Sequence, residues 1–255
     1  MTRPRILFGD HRTQAPAIER FVDHERFDVR FEPFATANLA DADLVVPLRV
    51  DQIEPARAVN AGGRRRAVLP DRELVELCDD KLAFNLRLIA LGFGDLIPDL
   101  LGDAPGIYPY VRKARRGDYG QGIRMVRGPG EEPGGDEPSP DSFCQRAIVG
   151  EDEEVLHLLR VDGQVRYALA YRYVMAGALA VRGETDRPVS TVPADVTTAI
   201  GPCTAILDAL GFEGTCCFNY KLEQGRPMLL ELNPRFGGSL VGEVSAYLSA
   251  YLAAL

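Results

Sequence analysis

Histidine is scarce in this chain, with three residues at positions 11, 24 and 157. They lie far apart in sequence, which argues against a histidine-based zinc site. The five cysteines (Cys78, Cys144, Cys203, Cys216 and Cys217) form no C-x-x-C pair. An odd set without metal-ligand spacing reads as reduced, buried thiols, as in a cytoplasmic protein. No apolar run approaches the roughly 18–20 residues that span a bilayer, so no membrane partner is expected. The basic start, Met1 to Arg5, is followed only by Ile6-Leu7-Phe8, too short for a signal peptide. Positive charge is also in deficit: 29 Lys and Arg against 37 Asp and Glu give a net charge of −8. That argues against a nucleic-acid partner, but not against a local basic cluster that binds a small anion. The Gly9-Asp10 turn lacks G-x-G-x-x-G and no Walker loop occurs, so neither dinucleotide nor P-loop chemistry is indicated. No Ser/His/Asp or Cys/His nucleophile constellation is present either.

What remains is an ordinary globular composition, 46% hydrophobic and 26% charged over 255 residues, enough for a sizeable core. Short apolar runs at Arg5–Phe8, Val29–Phe34, Leu44–Leu48 and Arg66–Leu69 read as strands. With a helical stretch at Asp51–Ala61 stopped by Gly62-Gly63, they predict a small parallel α/β lobe over residues 1–70. Asp79-Asp80-Lys81 opens a helix with apolar stripes at Leu82, Leu86 and Ile89 and at Phe84, Leu88 and Leu91; Gly92 ends it. Ile107–Lys113 and Ile123–Val126 read as paired strands of a middle lobe spanning 71–141. The Pro-, Gly- and acid-rich stretch from Arg127 to Asp141 reads as a loop dividing it from a last lobe, 142–255. That lobe reads as strands Phe143–Ile148, Val155–Val161 and Val165–Val174, then a helix over Asp195–Leu210. A hairpin (Thr215–Leu222, Met228–Leu232) and an apolar closing helix, Glu243–Leu255, complete it. The predicted class is α/β with α+β lobes.

Three places carry chemistry. Lys81 opens a helix, where free N–H groups and an ammonium can both point at a phosphate. Lys113 ends a strand, on one face with Val111, and is followed by a loop containing Gly117, Gly120, Gln121 and Gly122 that can close over phosphate oxygens. The strongest signal is Glu231-Leu232-Asn233-Pro234-Arg235. Alternation puts Glu231 and Asn233 on one face, with Leu230 and Leu232 entering the core; a carboxylate and an amide oxygen so spaced suit Mg²⁺. Asn219 on the preceding strand becomes a third ligand in one register only. A three- or five-residue turn sets it opposite Glu231, a two-residue turn opposite Leu230.

In this order (Asp80-Lys81, Tyr110–Lys113 with its glycine loop, Gln145-Arg146-Ala147-Ile148, Glu231–Arg235) the motifs resemble the ATP-grasp superfamily. The likeness is greatest to the carboxylate–amine ligase branch with carbamoyl-phosphate-synthase-like ATP domains, over about residues 75–240. The resemblance implies an ATP-grasp fold in which two α+β lobes sandwich the nucleotide behind a small N-terminal lobe. It implies ATP phosphates at Lys81 and Lys113 under a lid at Gly117–Gly122, and adenine along Gln145, Arg146, Ala147 and Ile148. Ribose would fall to an acid among Asp152, Glu153 and Glu154, of which Glu153 is preferred. Two Mg²⁺ (Mn²⁺ as a substitute) would be held by Glu231, Asn233 and Asn219. Arg235 would stabilise the transferring phosphoryl group, and Arg182 would contact phosphate or substrate. The implied reaction joins a small-molecule carboxylate, activated as an acylphosphate, to an amine, with ADP and phosphate released. A kinase-like phosphotransferase and a non-catalytic ATP-binding regulatory protein are the alternatives; a homodimer is compatible with the sequence. Gln145 stands where the family commonly has Glu, and Asn219 where Asp, Glu or Gln is usual.

Overall fold

The computed structural model describes residues 2–103, 105–117, 120–132, 140–183 and 186–255. Asp118 and Tyr119 of the glycine loop, and residues 133–139 of the 127–141 stretch, lie outside them.

The chain opens with β1 (Arg5–Gly9), α1 (Gln14–Phe21), β2 (Asp28–Glu32), β3 (Leu44–Val46) and α2 (Ile53–Arg57). β1 is central and parallel to both neighbours, as the alternation of strands and helices predicts. Both of its faces are buried, as a parallel sheet requires. Leu7 and Val45 pack against Ala56 and Val59 on one side. Ile6 and Phe8 pack on the other, against Ile18 and against Phe236, Tyr247 and Tyr251 from the far end of the chain. A short 3₁₀ turn extends α2 and stops at Gly63, whose φ of +79° favours glycine.

Arg66–Leu69, expected as a further strand, forms no ladder. One bond reaches the sheet, from Val45 N–H to the Arg66 carbonyl at 2.8 Å. Side chains occupy the neighbouring backbone groups instead. Asn60 Oδ1 accepts from the N–H of Arg66 and Ala67, and Asn60 Nδ2 donates to the Ala67 carbonyl. The Tyr251 hydroxyl accepts from Val68 N–H and donates to its carbonyl.

Next come α3 (Arg72–Asp79), α4 (Lys81–Ala90), β4 (Leu100–Leu101), β5 (Tyr110–Ala114), β6 (Ile123–Val126) and β7 (Ser142–Arg146). α3 is not anticipated from the sequence. Asp80 caps α4 by accepting from Ala83 N–H. Of the two apolar stripes read on α4, Phe84 and Leu88 are buried, whereas Leu86 and Ile89 are exposed. The four strands form an antiparallel sheet in the order β4-β7-β5-β6. β7 therefore pairs with β5 (Val111 opposite Gln145) rather than with the strands that follow it, as its expected place in the last lobe required.

The remainder is β8 (Asp152–Val161), β9 (Gln164–Val174), β10 (Ser190–Ala194), α5 (Thr197–Leu210), β11 (Gly214–Glu223), β12 (Arg226–Asn233) and α6 (Val244–Ala254). β10 is an addition to the sequence reading. The strands make an antiparallel sheet ordered β10-β9-β8-β11-β12. α5 covers one face, burying Ala199, Cys203, Ile206 and Leu207 against Leu156, Phe218 and Leu229. That leaves the opposite face for a site.

The β11–β12 turn decides what that face presents. Glu223 pairs with Arg226, so the turn is the two-residue Gln224-Gly225, with φ of +53° and +78°. Such a turn brings Leu230 opposite Asn219 if the ladder is regular. It is not regular: a bulge skips Leu230, so Tyr220 pairs with Leu229 and Asn219 with Glu231. The bulge restores the metal-type pairing that the turn alone forbids. It also moves Leu230 out of its expected core position and onto the wall of a cavity. All five cysteines are buried and free. Among the described residues no helix is long and apolar enough to cross a membrane.

Candidate active site

The uncovered face of the five-stranded sheet carries polar side chains in rows across the strands. One row is Glu231, Asn219, Val155 and Tyr171; the next is Asn233, Cys217 and His157. On the other side lie Glu153, Tyr173 and Thr191, with Lys221 nearby on β11. Above them the four-stranded sheet presents Val111, Lys113, Ile123, Met125 and Gln145. A cavity of about 570 Å³ lies between the two sheets.

Local contacts bring its cations together. Arg115 pairs with Asp80, the cap of α4, and its carbonyl accepts from Lys81 N–H at 2.8 Å. The start of α4 is thereby tied to the end of β5, and Lys81 to Lys113. Lys81 is buried; its Nζ donates to the Gly117 carbonyl at 2.7 Å and lies 3.8 Å from Glu231 Oε2. Lys113 Nζ donates to Gln145 Oε1 at 2.7 Å, and Gln145 Nε2 donates to the Pro98 carbonyl at 2.9 Å. Burial pushes the Lys113 ammonium down to about 8, with Lys81 adding repulsion while Glu231 and Glu153 oppose the shift. A buried ammonium held by one neutral acceptor gains strongly from an anion.

The acids face the cations. Of the three acids considered for ribose, alternation turns Glu153 into the cavity. Glu154 points away to Arg172 and the Tyr220 hydroxyl, and Asp152 also pairs with Arg172. Glu153 Oε1 accepts from Arg182 Nε at 2.7 Å and from Asn219 Nδ2 at 2.9 Å. Arg182 also lies over the Tyr173 ring, 4.4 Å from its centroid. Asn233 Nδ2 donates to Glu231 Oε1 at 2.9 Å and lies 3.4 Å from Asn219 Oδ1. Glu231, Asn233 and Asn219 thus gather oxygen atoms of one carboxylate and two amides. Among the described residues no group of three His, Cys, Asp or Glu side chains is placed to hold a metal. An all-oxygen set of this kind fits a hard cation such as Mg²⁺ better than zinc.

Arg146 turns its side chain away, to Asp99 and Glu223, leaving its backbone at the cavity wall. Ala147 N–H is bonded to the Pro109 carbonyl, whereas Ile148 N–H has no partner among the described residues. In the glycine loop, Gly120 lies against residue 182: a Cβ there would sit 2.8 Å from the Arg182 carbonyl oxygen.

Lys81, Lys113, Gly120, Gln145, Arg146, Ala147, Ile148, Glu153, Arg182, Asn219, Glu231, Asn233 and Arg235 all line this cavity. Gly117, Gln121 and Gly122 do not. Gly117 instead accepts the Lys81 ammonium, and the Gly122 carbonyl accepts from Ala114 N–H. The sequence reading missed His157, Tyr171, Tyr173 and Lys221. His157 and Lys221 were accessible, lying at even spacing from Glu153 and Asn219. The tyrosines depend on strand pairing that no local pattern reveals. His157 is fully buried, bonded through Nε2 to Ser239 Oγ at 2.7 Å, and burial beside Arg235 lowers it to about 3. Gly237 is required there, because a Cβ would lie 2.3 Å from the imidazole Cε1.

No protein-family model and no curated protein matches the sequence. Solved structures do match the fold. A D-alanine–D-alanine ligase from Bacillus anthracis, complexed with ATP, superposes with a TM-score of 0.60 at 13% identity, over 100% of this chain and 97% of that one. An L-amino acid ligase from Bacillus licheniformis gives 0.62 at 17% identity over 96% and 70% of the two chains. A phosphoribosylglycinamide synthetase from Anaerococcus prevotii gives 0.63 at 12% over 99% and 76%. Similarity at this level of identity speaks to architecture: the chain has the ATP-grasp fold.

Proposed function

We propose that this protein is an ATP-dependent ligase that activates a small-molecule carboxylate as an acylphosphate and joins it to an amine. One observation carries the reading: Lys81, Lys113, Glu231, Asn233 and Arg235, drawn from three separated parts of the sequence, line one cavity. The fold shared with a ligase solved with ATP bound supports the same conclusion.

In this account the cavity takes the nucleotide with its base along residues 145–148, where the unpartnered Ile148 N–H offers a donor to the adenine edge. Glu153 is proposed to receive the ribose hydroxyls, which requires it to exchange its bond with Arg182 or Asn219. Lys81 and Lys113 leave the Gly117 carbonyl and Gln145 for the phosphate oxygens, and Gly120 closes over them. Glu231 and Asn233, with Asn219 as a neutral third donor, are the residues that would hold Mg²⁺. Bound there, the metal supplies charge neutralisation on the phosphate oxygens.

The substrate carboxylate oxygen attacks the γ-phosphorus, the bond to the β-bridging oxygen breaks and ADP leaves. The amine nitrogen then attacks the acyl carbon, inorganic phosphate departs and the amine gives up a proton. Lys113 and Arg235 counter the charge on the phosphoryl oxygens; no side-chain nucleophile takes part. Exclusion of water by the closed cavity protects the acylphosphate. A screen of acids and amines for Mg²⁺-dependent ADP release tests the proposal. Amide product and ADP in equal amounts support ligation. ADP with a phosphorylated acid and no amide supports the phosphotransferase alternative, and turnover unchanged in both Glu231→Gln and Lys113→Ala removes the site.

A further inference from the structure

The cavity is polarised along the sheet. Phosphate- and metal-type side chains come from α4, β5 and the β11–β12 edge. At the β9–β10 side the floor is Tyr171, Tyr173 and Thr191, and the wall is the segment after Arg235. Ser239 holds the neutral His157 there, and Gly242 lies beside the Tyr171 hydroxyl, where a Cβ would be 4.0 Å away. α1 packs on residues 238–243, so its last residue, Phe21, reaches the cavity with 51% of its surface exposed. Val241 completes this end.

Charge is accounted for elsewhere. Lys221 donates to the Gly150 carbonyl, Arg146 is held by Asp99 and Glu223, and Arg182 by Glu153 and Tyr173. Lys81 and Lys113 stand at the nucleotide end. Arg235 is the cation next to the metal-type pair. Beyond it the described residues Phe21, Tyr171, Thr191 and Val241 carry no charge, while the carboxylate of Glu243 acts on Tyr171 electrostatically. A second carboxylate placed here meets Glu243, and the nearby cations are already engaged, Arg182 by Glu153 and the Tyr173 ring and Arg20 by the Phe21 ring. A half-exposed Phe beside Val241 and a Tyr ring instead offers apolar area to a ligand.

We infer that the activated acid is a monocarboxylate with an uncharged apolar body, aromatic or branched aliphatic. Its body sits among Phe21, Tyr171 and Val241, and its carboxylate faces Arg235. The inference rests on the ATP-dependent ligase reading and names the substrate class of that same site.

The test compares ADP release, at saturating MgATP and with a fixed amine pool, for phenylacetate, isovalerate, glycolate and succinate, alongside calorimetry of MgATP binding. The expected result is a kcat/KM for the apolar acids at least tenfold above glycolate and succinate, an ordinary discrimination for one to two carbon groups in an apolar pocket. Phe21→Ala lowers kcat/KM for the apolar acids about tenfold, mainly through KM, and leaves the MgATP binding constant unchanged. Val241→Lys raises succinate relative to isovalerate. Preference for glycolate or succinate, or no acid turned over while MgATP binds, overturns the substrate class and leaves the nucleotide site standing. Absence of MgATP binding overturns the nucleotide reading itself.

Discussion

Replacing Lys113 with methionine separates the cost of the site from its use. The wild-type ammonium is wholly buried, and its pKa falls from 10.5 to about 8. At ~1.36 kcal/mol per pKa step, carrying that charge costs the ligand-free protein about 3 kcal/mol below pH 8. Between about pH 8 and 10.5 the unfolded chain holds the proton and the folded one does not, so this cost shrinks as pH rises and is gone above 10.5. Methionine fills similar volume without charge but strands Gln145 Oε1, a loss of about 1–3 kcal/mol. The difference leaves Lys113→Met between unchanged and about 2 kcal/mol more stable than wild type at pH 7. The advantage fades as pH approaches 10. MgATP at a hundred times its dissociation constant stabilises wild type by about 2.7 kcal/mol, roughly 5–10 °C in Tm for a chain of this size. The variant loses most of that shift. Thermal melts at pH 7 and pH 10, with and without MgATP, read all four quantities. A variant more than 1 kcal/mol less stable at pH 7, or one with the full MgATP shift, refutes the reasoning.

Other changes have equally definite outcomes. Glu231→Gln lowers Mg²⁺-dependent ADP release by roughly 10²-fold or more while melting close to wild type, because it removes the carboxylate from the proposed metal set. Gly237→Ala drives a methyl into the His157 ring and destabilises by about 1–3 kcal/mol; adding His157→Ala recovers much of that in the same melts. Asn219→Asp sets a carboxylate where Nδ2 now donates to Glu153. The expected result is lower stability in EDTA and a larger stabilisation by Mg²⁺ than wild type shows. His157, lowered from 6.5 to about 3, stays neutral throughout neutral pH. The unfolded chain binds a proton that the folded one does not between those values, so stability falls as pH drops from 6.5 to 3. His157→Gln flattens that part of the profile.

Much of this was legible in the sequence because it is local. The parallel lobe follows from strand–helix alternation, and the Asp80 cap fixes where Lys81 begins α4. Two-residue spacing sets Lys113 beside Val111 and Glu231 beside Asn233. What failed is non-local. Arg66–Leu69 has a strand's composition, yet Asn60 and Tyr251 consume its backbone groups from positions no window contains. β7 follows the loop that seems to divide two lobes, but its partner is β5. The Asn219–Glu231 pairing shows how two irregularities combine. Turn length alone excludes it, and the bulge at Leu230, which has no signature in Met228-Leu229-Leu230, restores it. The tyrosines of β9 enter the cavity only because β8 and β9 pair with Glu153 opposite Tyr173.

The account stands on a nucleotide held between the two antiparallel sheets. Equilibrium titration of MgATP into the wild-type protein, Lys113→Met and Glu231→Gln measures this directly. One saturable, Mg²⁺-dependent site per chain that weakens at least tenfold in both variants is the predicted result. No binding by wild type, or equal binding by all three, contradicts it.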